Sequence, residues 1–504
     1  MSLAIVHSRA ALGVEAPPVQ VEVHLANGLP STTVVGLPET AVKESRDRVR
    51  GAICTSQFQF PSRRITVNLA PADLPKEGGR FDLPIALGIL AASGQIPARF
   101  LSEYECLGEL ALGGELRGVR GVLPAALACR DQQRHLLVAQ DNAAEGALVS
   151  NLAVYGAGHL LEVCQHLRDG RTLSVTESGS RPQGWQPIIA DLADVRGQHH
   201  AKRALEVAAA GAHNLLFVGP PGTGKTMLAS RLPGILPPLN EAEAMASAAI
   251  ASISRQGLVL EQWGVRPFRC PHHTASAVAL VGGGSQPRPG EISLAHSGVL
   301  FLDELPEFSR QVLDVLREPL ESGRIIISRA ARQAEFPAQF QLVAAMNPCP
   351  CGYLGDAERP CRCSAEHVRR YRARISGPLL DRIDLHVEVP RLPYRTLRTE
   401  NREESSVEVQ QRVMAARQRQ LARAGKPNAL LEPREIERYC TLSSADHDLL
   451  ERFMSRLSLS PRAYHRILRV ARTIADLAAA AEIGTAHLTE SIGYRALDRG
   501  TAQK

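Results

Sequence analysis

The chain of 504 residues carries 58 Lys and Arg against 52 Asp and Glu, a net charge of +6, with 44% hydrophobic and 22% charged residues. That length accommodates roughly two to four domains, each able to bury its own core, and the composition excludes disordered and fibrous classes. No apolar run approaches a membrane span and Met1-Ser2-Leu3-Ala4 lacks the basic start of a secretory signal, so a cytoplasmic location with no membrane partner is expected.

Up to about Arg168, strand-like and helix-like patterns alternate. Val19-Gln20-Val21-Glu22-Val23-His24-Leu25 has the period-2 alternation of a half-buried strand, and Arg64 to Leu69 reads as another. Thr40 to Ile53 reads as an amphipathic helix and Asp82 to Leu90 as an apolar one, so residues 1–168 form an α/β domain. Lys76-Glu77-Gly78-Gly79-Arg80 and Leu116-Arg117-Gly118-Val119-Arg120-Gly121-Val122-Leu123 resemble the serine- and lysine-bearing loops of the Lon proteolytic domain, a ribosomal S5 domain 2-like fold. A Ser–Lys dyad needs a hydroxyl nucleophile beside an amine base. Here Arg80 stands in the serine's place and Val122-Leu123 offers no lysine, so a partner-binding or assembly role is expected rather than peptidase activity.

Residues 169–187 dissolve into Gly, Ser, Thr, Arg and Pro, the composition of a linker. A nucleotide-hydrolysing core is expected over 188–392. A helix over Ala201–Gly211 leads to the strand Leu215-Leu216-Phe217-Val218, and then comes Gly219-Pro220-Pro221-Gly222-Thr223-Gly224-Lys225-Thr226. This fits the phosphate-binding pattern G-x-x-x-x-G-K-[ST], flanked as it should be by a strand and a helix. The glycines let backbone N–H groups cradle phosphates, Lys225 would reach the β- and γ-phosphates of ATP, and the Thr226 hydroxyl would hold Mg²⁺. Val299-Leu300-Phe301-Leu302 is a second buried strand, ending in Asp303, placed for Mg²⁺, and Glu304, placed to polarise an attacking water.

Between these strands lies Pro271-His272-His273-Thr274, read as a structured loop because no third metal ligand sits at suitable spacing. Gly282-Gly283-Gly284 and Pro287-Arg288-Pro289-Gly290 read as a mobile loop. A helix is expected over Glu307–Ser322, then strand, turn and strand over Ile325–Phe336, a hairpin with Arg329 and Arg332 at its tip, either purely structural or DNA-contacting. Leu342 to Asn347 is the next buried strand. Cys349, Cys351, Cys361 and Cys363 form two close thiol pairs, the donor set of a structural Zn²⁺ site or else free thiols, with His367 a spare ligand. Nine arginines against four acids between Arg324 and Arg374 leave +5 there, nearly the whole excess charge, which suits a polyanion. Arg382 stands in Ser376-Gly377-Pro378-Leu379-Leu380-Asp381-Arg382-Ile383-Asp384, where a salt bridge to Asp381 or Asp384 is its ordinary use. Residues 393–504 turn helical and charged, with helices at Val407–Ala424, at Leu442–Arg456 and after Ser460-Pro461-Arg462.

Taken together, these motifs resemble the magnesium chelatase-like AAA+ family, in its ComM (YifB) group, over nearly the whole chain. The resemblance implies a Lon-like N-terminal domain, an AAA+ P-loop core with a parallel sheet, and a C-terminal helical lid. It implies that the helix over Ala201–Gly211 lies by the adenine, that Asn347 is sensor 1, and that Arg329 and Arg332 track DNA phosphates. It implies further that Arg382, with Arg374 as competitor, reaches a neighbouring subunit's γ-phosphate, and that Arg462, ahead of Arg466, is sensor 2. The expected activity is that of a homo-hexameric, ATP-driven DNA helicase promoting branch migration during natural transformation, with single-stranded and branched DNA and recombination proteins as partners. Two alternatives are an ATP-dependent protease, opposed by the missing dyad, and the motor of a metal chelatase, opposed by the expectation that such a motor lacks the N-terminal domain.

Overall fold

The protein is described from a computed structural model covering residues 3–37, 40–169, 172–177, 190–284, 287–329, 332–356, 358–393, 403–457 and 460–495. The expected linker falls mostly outside the described residues.

The first part of the chain supplies strands β1 (Leu3–Arg9), β2 (Pro18–Ala26), β3 (Ser31–Val35), β4 (Arg64–Ala70), β5 (Tyr104–Leu107), the short pair β6 (Glu109–Leu110) and β7 (Leu116–Arg117), then β8 (His135–Ala139) and β9 (Val154–Ala157). All but β6 and β7 lie in one mixed sheet of order β3-β4-β2-β1-β5-β8-β9. The alternation in β2 buries Val19, Val21, Val23 and Leu25 on one face. Helices α1 (Thr40–Thr55), α2 (Asp82–Ala92), α3 (Val122–Asp131), α4 (Gln140–Gly146) and α5 (Leu160–Asp169) accompany the sheet. Every residue of α2 is buried, as expected of a helix apolar on all sides. Its Asp82 binds Arg48 at 2.8 and 3.1 Å, and burial still pushes that carboxyl up to about 6.

The second part supplies α6 (His199–Gly211), β10 (Leu215–Val218), α7 (Lys225–Ile235), α8 (Glu241–Ser252), β11 (Phe268–Arg269), α9 (Ala277–Val281), the pair β12 (Gly282–Gly283) and β13 (Arg288–Pro289), α10 (Glu291–Leu294) and β14 (Val299–Leu302). After them come α11 (Arg310–Val315), α12 (Arg317–Ser322), β15 (Arg324–Arg329), β16 (Arg332–Pro337), β17 (Gln341–Met346), α13 (Ala365–Arg372), α14 (Gly377–Leu380) and β18 (Leu385–Glu388). Five of these strands form a sheet of order β11-β14-β17-β10-β18, every neighbouring pair parallel. Because β14, β17 and β10 are adjacent and parallel, their carboxyl ends open onto one edge. Whatever follows Leu302, Met346 and Val218 must therefore meet there.

Two local expectations are corrected. The helix expected over Glu307–Ser322 is broken in two: Ser309 caps α11 by accepting from the Val312 N–H, and Pro319 in α12 has no N–H to continue a ladder. The glycines expected in a mobile loop instead pair Gly282 with Pro289 and Gly283 with Arg288.

The last part is helical: α15 (Ser406–Ala424), α16 (Pro433–Tyr439), α17 (Ser444–Leu457), α18 (Pro461–Leu477) and α19 (Thr485–Gly493). A capping box, Ser405 with Glu408, starts α15, whose Val409, Val413 and Ala416 join the core beneath the sheet. A buried polar chain links this part to the sheet. Arg466 binds Asp384 at 2.7 Å, His213 lies 3.5 Å from Asp384 and 2.8 Å from the Thr473 hydroxyl, and Thr473 accepts from Asn428 at 3.0 Å. On the opposite side, Ala248 of α8 packs into the cluster formed by Val122, Ala126 and Cys129 of α3. Among the described residues no helix is long and apolar enough to cross a membrane.

Candidate nucleotide site and its flanking cysteine cluster

The loop after β10 can hold its course only because of its glycines. A Cβ on Gly219 would sit 2.1 Å from the Val389 carbonyl oxygen, and Gly222 and Gly224 adopt φ of 76° and 90° with open space where a side chain would stand. That open space is a cavity of about 410 Å³ lined by residues 221–227, Asp303, Glu304, Met346 and Asn347. The amino end of α7 faces it, offering unpaired N–H groups and the positive end of the helix dipole.

Three strand ends bring the remaining groups to this cavity. Lys225 is buried and donates to the carbonyls of Gly219 at 2.7 Å and Pro220 at 2.8 Å, and to Asn347 Oδ1 at 3.2 Å. Burial lowers the pKa of its ammonium, while Asp303 and Glu304 oppose that shift. The Thr226 hydroxyl donates to Asp303 Oδ2 at 2.7 Å, and the Glu304 N–H to Asp303 Oδ1 at 2.9 Å. Lys225, Thr226, Asp303, Glu304 and Asn347, chosen from motifs spread over more than 120 residues, thus share one cavity. Gln198, just ahead of α6, donates to the carbonyls of Thr223 at 3.4 Å and Pro390 at 2.8 Å, tying that segment to the loop.

His273 was missed. Its Nδ1 lies 3.4 Å from Glu304 Oε2, and its ring lies 4.1 Å from that of His272. The segment reads as a structured loop because it lacks a third metal ligand, and nothing local in Pro271-His272-His273-Thr274 points to a carboxylate thirty-one positions on.

The cysteine cluster lies in the loop that follows Asn347. The Sγ atoms of Cys349, Cys351, Cys361 and Cys363 all lie within 4.8 Å of one another, with separations of 3.4, 3.7 and 3.6 Å among the first three. A tetrahedron with metal–sulfur bonds of about 2.3 Å has edges of about 3.8 Å, so the donor set and its spacing fit Zn²⁺. Backbone N–H groups of Tyr353 and Arg362 lower the Cys351 thiol, while the neighbouring thiols push Cys361 and Cys363 up, as expected of crowded sulfurs. His367 is not in the cluster. Gly352, at φ 85°, brings this loop against the phosphate loop: a Cβ there would lie 2.7 Å from Pro221 Cδ.

The remaining predicted residues lie apart from the cavity. Arg382 hydrogen-bonds the Glu321 carboxylate and the Pro378 carbonyl (2.6 Å), with its side chain 12% exposed, so its in-chain partner is neither Asp381 nor Asp384. Arg374 is 55% exposed and bound to Glu307 at 3.1 Å. Arg462 is exposed on the first turn of α18, whereas Arg466 is committed to Asp384. Arg329 and Arg332 face one another across the last rung of the β15–β16 hairpin; their side chains lie outside the described residues.

Comparison with known proteins gives the family. Residues 191–397 match the family described as magnesium chelatase, subunit ChlI; residues 403–495 match its C-terminal region; residues 21–142 match subunit ChlI of Mg-chelatase. The last match removes one expectation, since a family bearing the chelatase subunit's name covers the N-terminal part as well. The chain is 56% identical to competence protein ComM of Haemophilus influenzae, over 99% of this chain and 98% of that one. It is 54% identical to YifB of Escherichia coli over the same shares. More distantly, it is 24% identical to the DNA replication licensing factor Mcm2 of Drosophila melanogaster, over 44% of this chain and 24% of that one. The chain belongs to the magnesium chelatase-like AAA+ ATPase family, in the group that contains ComM and YifB.

Proposed function

We infer that this protein is an ATP-driven DNA translocase that works as a homo-hexameric ring and promotes branch migration when incoming DNA is recombined during natural transformation. The observation that carries the ATPase half is the single cavity shared by the phosphate loop, the two carboxylates and Asn347. In this reading Lys225 exchanges its loop carbonyls for the β- and γ-phosphates, a cation-to-anion exchange that favours nucleotide over the empty loop. Thr226 and Asp303 are the pair that would hold Mg²⁺, which neutralises phosphate charge when bound. Glu304 orients and deprotonates the attacking water, and Asn347 positions it. Arg382 supplies positive charge to the neighbouring subunit's γ-phosphate after leaving Glu321, and Arg462 acts as sensor 2 in the same or the adjacent subunit. Zn²⁺ on the four cysteines would cross-link a loop that props Pro221.

The DNA half rests on the likeness to ComM and Mcm2 and on the arginine excess between Arg324 and Arg374. In this reading Arg329 and Arg332 push on phosphates, the N-terminal domain (residues 1–168) serves assembly or partner binding, and residues 393–504 form the lid. The second reading, a chelatase-type motor acting on a protein partner, is favoured by the names of the matching families. Gel filtration with ATP, Mg²⁺ and labelled single-stranded DNA separates the two. Closed rings that retain DNA, with affinity falling steeply as salt rises, support the translocase. Rings that ignore DNA at moderate ionic strength support the second reading.

A further inference from the structure

A second cavity, also of about 410 Å³, lies away from the nucleotide site, where the N-terminal sheet meets the segment after α8. Five charged residues line it, Glu77, Arg80, Glu109, Arg120 and Arg288, and among the described residues neither Arg80 nor Glu109 forms an ion pair. Arg80 is 7% exposed, yet among the described residues its guanidinium donates only to carbonyl oxygens, those of Arg9 at 3.3 Å and of Arg120. The nearest carboxylate that influences it, Glu145, is already taken by the Leu123 N–H, the Ser252 hydroxyl and Asn142. Burial accordingly pushes Arg80 down to about 10. A buried cation without a contacting anion is costly, and an anionic guest removes that cost.

Glu109, half-buried on the other side of the cavity, forms no ion pair or hydrogen bond among the described residues. It cannot drift freely, because Gly79 packs directly against its side chain: a Cβ there would lie 2.5 Å from Glu109 Cγ. Glu77 and Arg288, also on the lining, have interactions of their own. The lining also holds the apolar Leu12, Pro75 and Ile253 and the exposed Arg120. Gly121, at φ 73°, keeps the floor low, since a Cβ there would stand 3.1 Å from Ile253 Cγ2 and 3.5 Å from Arg80 Nη2.

A guanidinium and a carboxylate that lack ion-pair partners among the described residues, with apolar side chains on the same lining, complement a molecule that carries both charges and an apolar body. We propose that this cavity is a binding site for a short zwitterionic peptide, its carboxylate on Arg80 and its ammonium on Glu109. Such a peptide matches both charges at once, which a simple anion does not, and the cavity volume falls in the ordinary range for ligand sites. Because Ile253 follows α8, whose end also accepts the Gly121 N–H at 3.1 Å through Ser252 O, an occupant touches both parts of the chain.

The test is calorimetric titration of the full-length protein with trialanine, N-acetyl-trialanine, trialanine amide, acetate and inorganic phosphate. Trialanine is expected to bind once per chain, and each single-blocked peptide at least about tenfold more weakly, the worth of one charge-assisted contact. Arg80→Met should abolish discrimination against the amide, and Glu109→Gln discrimination against the acetylated peptide. The Glu109 side chain is half-buried and forms no hydrogen bond or ion pair among the described residues, so Glu109→Gln should melt as the parent does and keeps the test decisive if Arg80→Met does not fold. Absence of trialanine binding at millimolar concentration, equal affinity for all three peptides, or acetate or phosphate binding as tightly as trialanine, overturns the proposal.

Discussion

Glu304 makes the sharpest single-residue prediction. Glu304→Gln keeps the size and the cavity but removes the base, so nucleotide binding should persist while turnover falls by about 10²- to 10⁴-fold. Fluorescent-nucleotide titration beside a phosphate-release assay checks both halves, and loss of binding would mean the residue shapes the site rather than the chemistry. Steric arguments give a second prediction. Gly219→Ala would drive a Cβ to 2.1 Å from the Val389 carbonyl, a backbone atom that cannot rotate away. Overpacking of this kind costs about 2 kcal/mol or more, so thermal stability should fall along with nucleotide affinity. Most of the cavity was legible in sequence because its groups sit at the ends of apolar strands, where motif and period agree. His273 was not, since its meeting with Glu304 depends on how a long excursion returns to the sheet.

At the scale of elements, the seam between sheet and helical part is acid-sensitive by construction. His386 lies fully buried on β18, and burial, with Arg495 nearby, pushes it down to about 3. Its folded pKa is below the unfolded value of about 6.5, so the unfolded chain binds the extra proton and stability is lost as pH falls from about 6.5 toward 3. From this group alone about 2 kcal/mol should disappear between pH 7.5 and pH 5. Denaturant unfolding at the two pH values should show it, and His386→Leu should remove that part of the slope; an unchanged slope would place the acid sensitivity elsewhere. Asp384, held well below the usual carboxylate range despite burial by Arg466 and His213, adds a further loss in stronger acid. Elements were read well where one period dominated, as in β2 and α15. The split between α11 and α12 was not, because Pro319 removes the N–H that a helix running through Leu316 would need, inside a stretch whose helical pattern otherwise continues.

At the scale of the whole molecule, the proposed mechanism needs a catalytic site built by two subunits. Arg382 is occupied with Glu321 within its own chain, and among the described residues no contact brings it to the cavity. If it acts on a neighbour, Lys225→Ala and Arg382→Ala proteins should each be inactive alone. Mixed, they should recover a measurable fraction of hydrolysis, since some boundaries then combine an intact loop with an intact arginine. No recovery would place Arg382 in a structural role. Sequence motifs could not disclose the Glu321 pairing, because the two residues lie sixty-one positions apart on separate short helices and turns.

The most direct measurement follows ATP hydrolysis and strand exchange together, on a labelled three-stranded junction with purified protein and Mg²⁺. The account predicts that junction DNA is converted to product only with hydrolysable ATP, that DNA raises the hydrolysis rate, and that Glu304→Gln abolishes both. Arg329→Ala with Arg332→Ala should lose the stimulation and the product while keeping basal hydrolysis. Hydrolysis that is indifferent to DNA, with no junction processed at any nucleotide concentration, would contradict it.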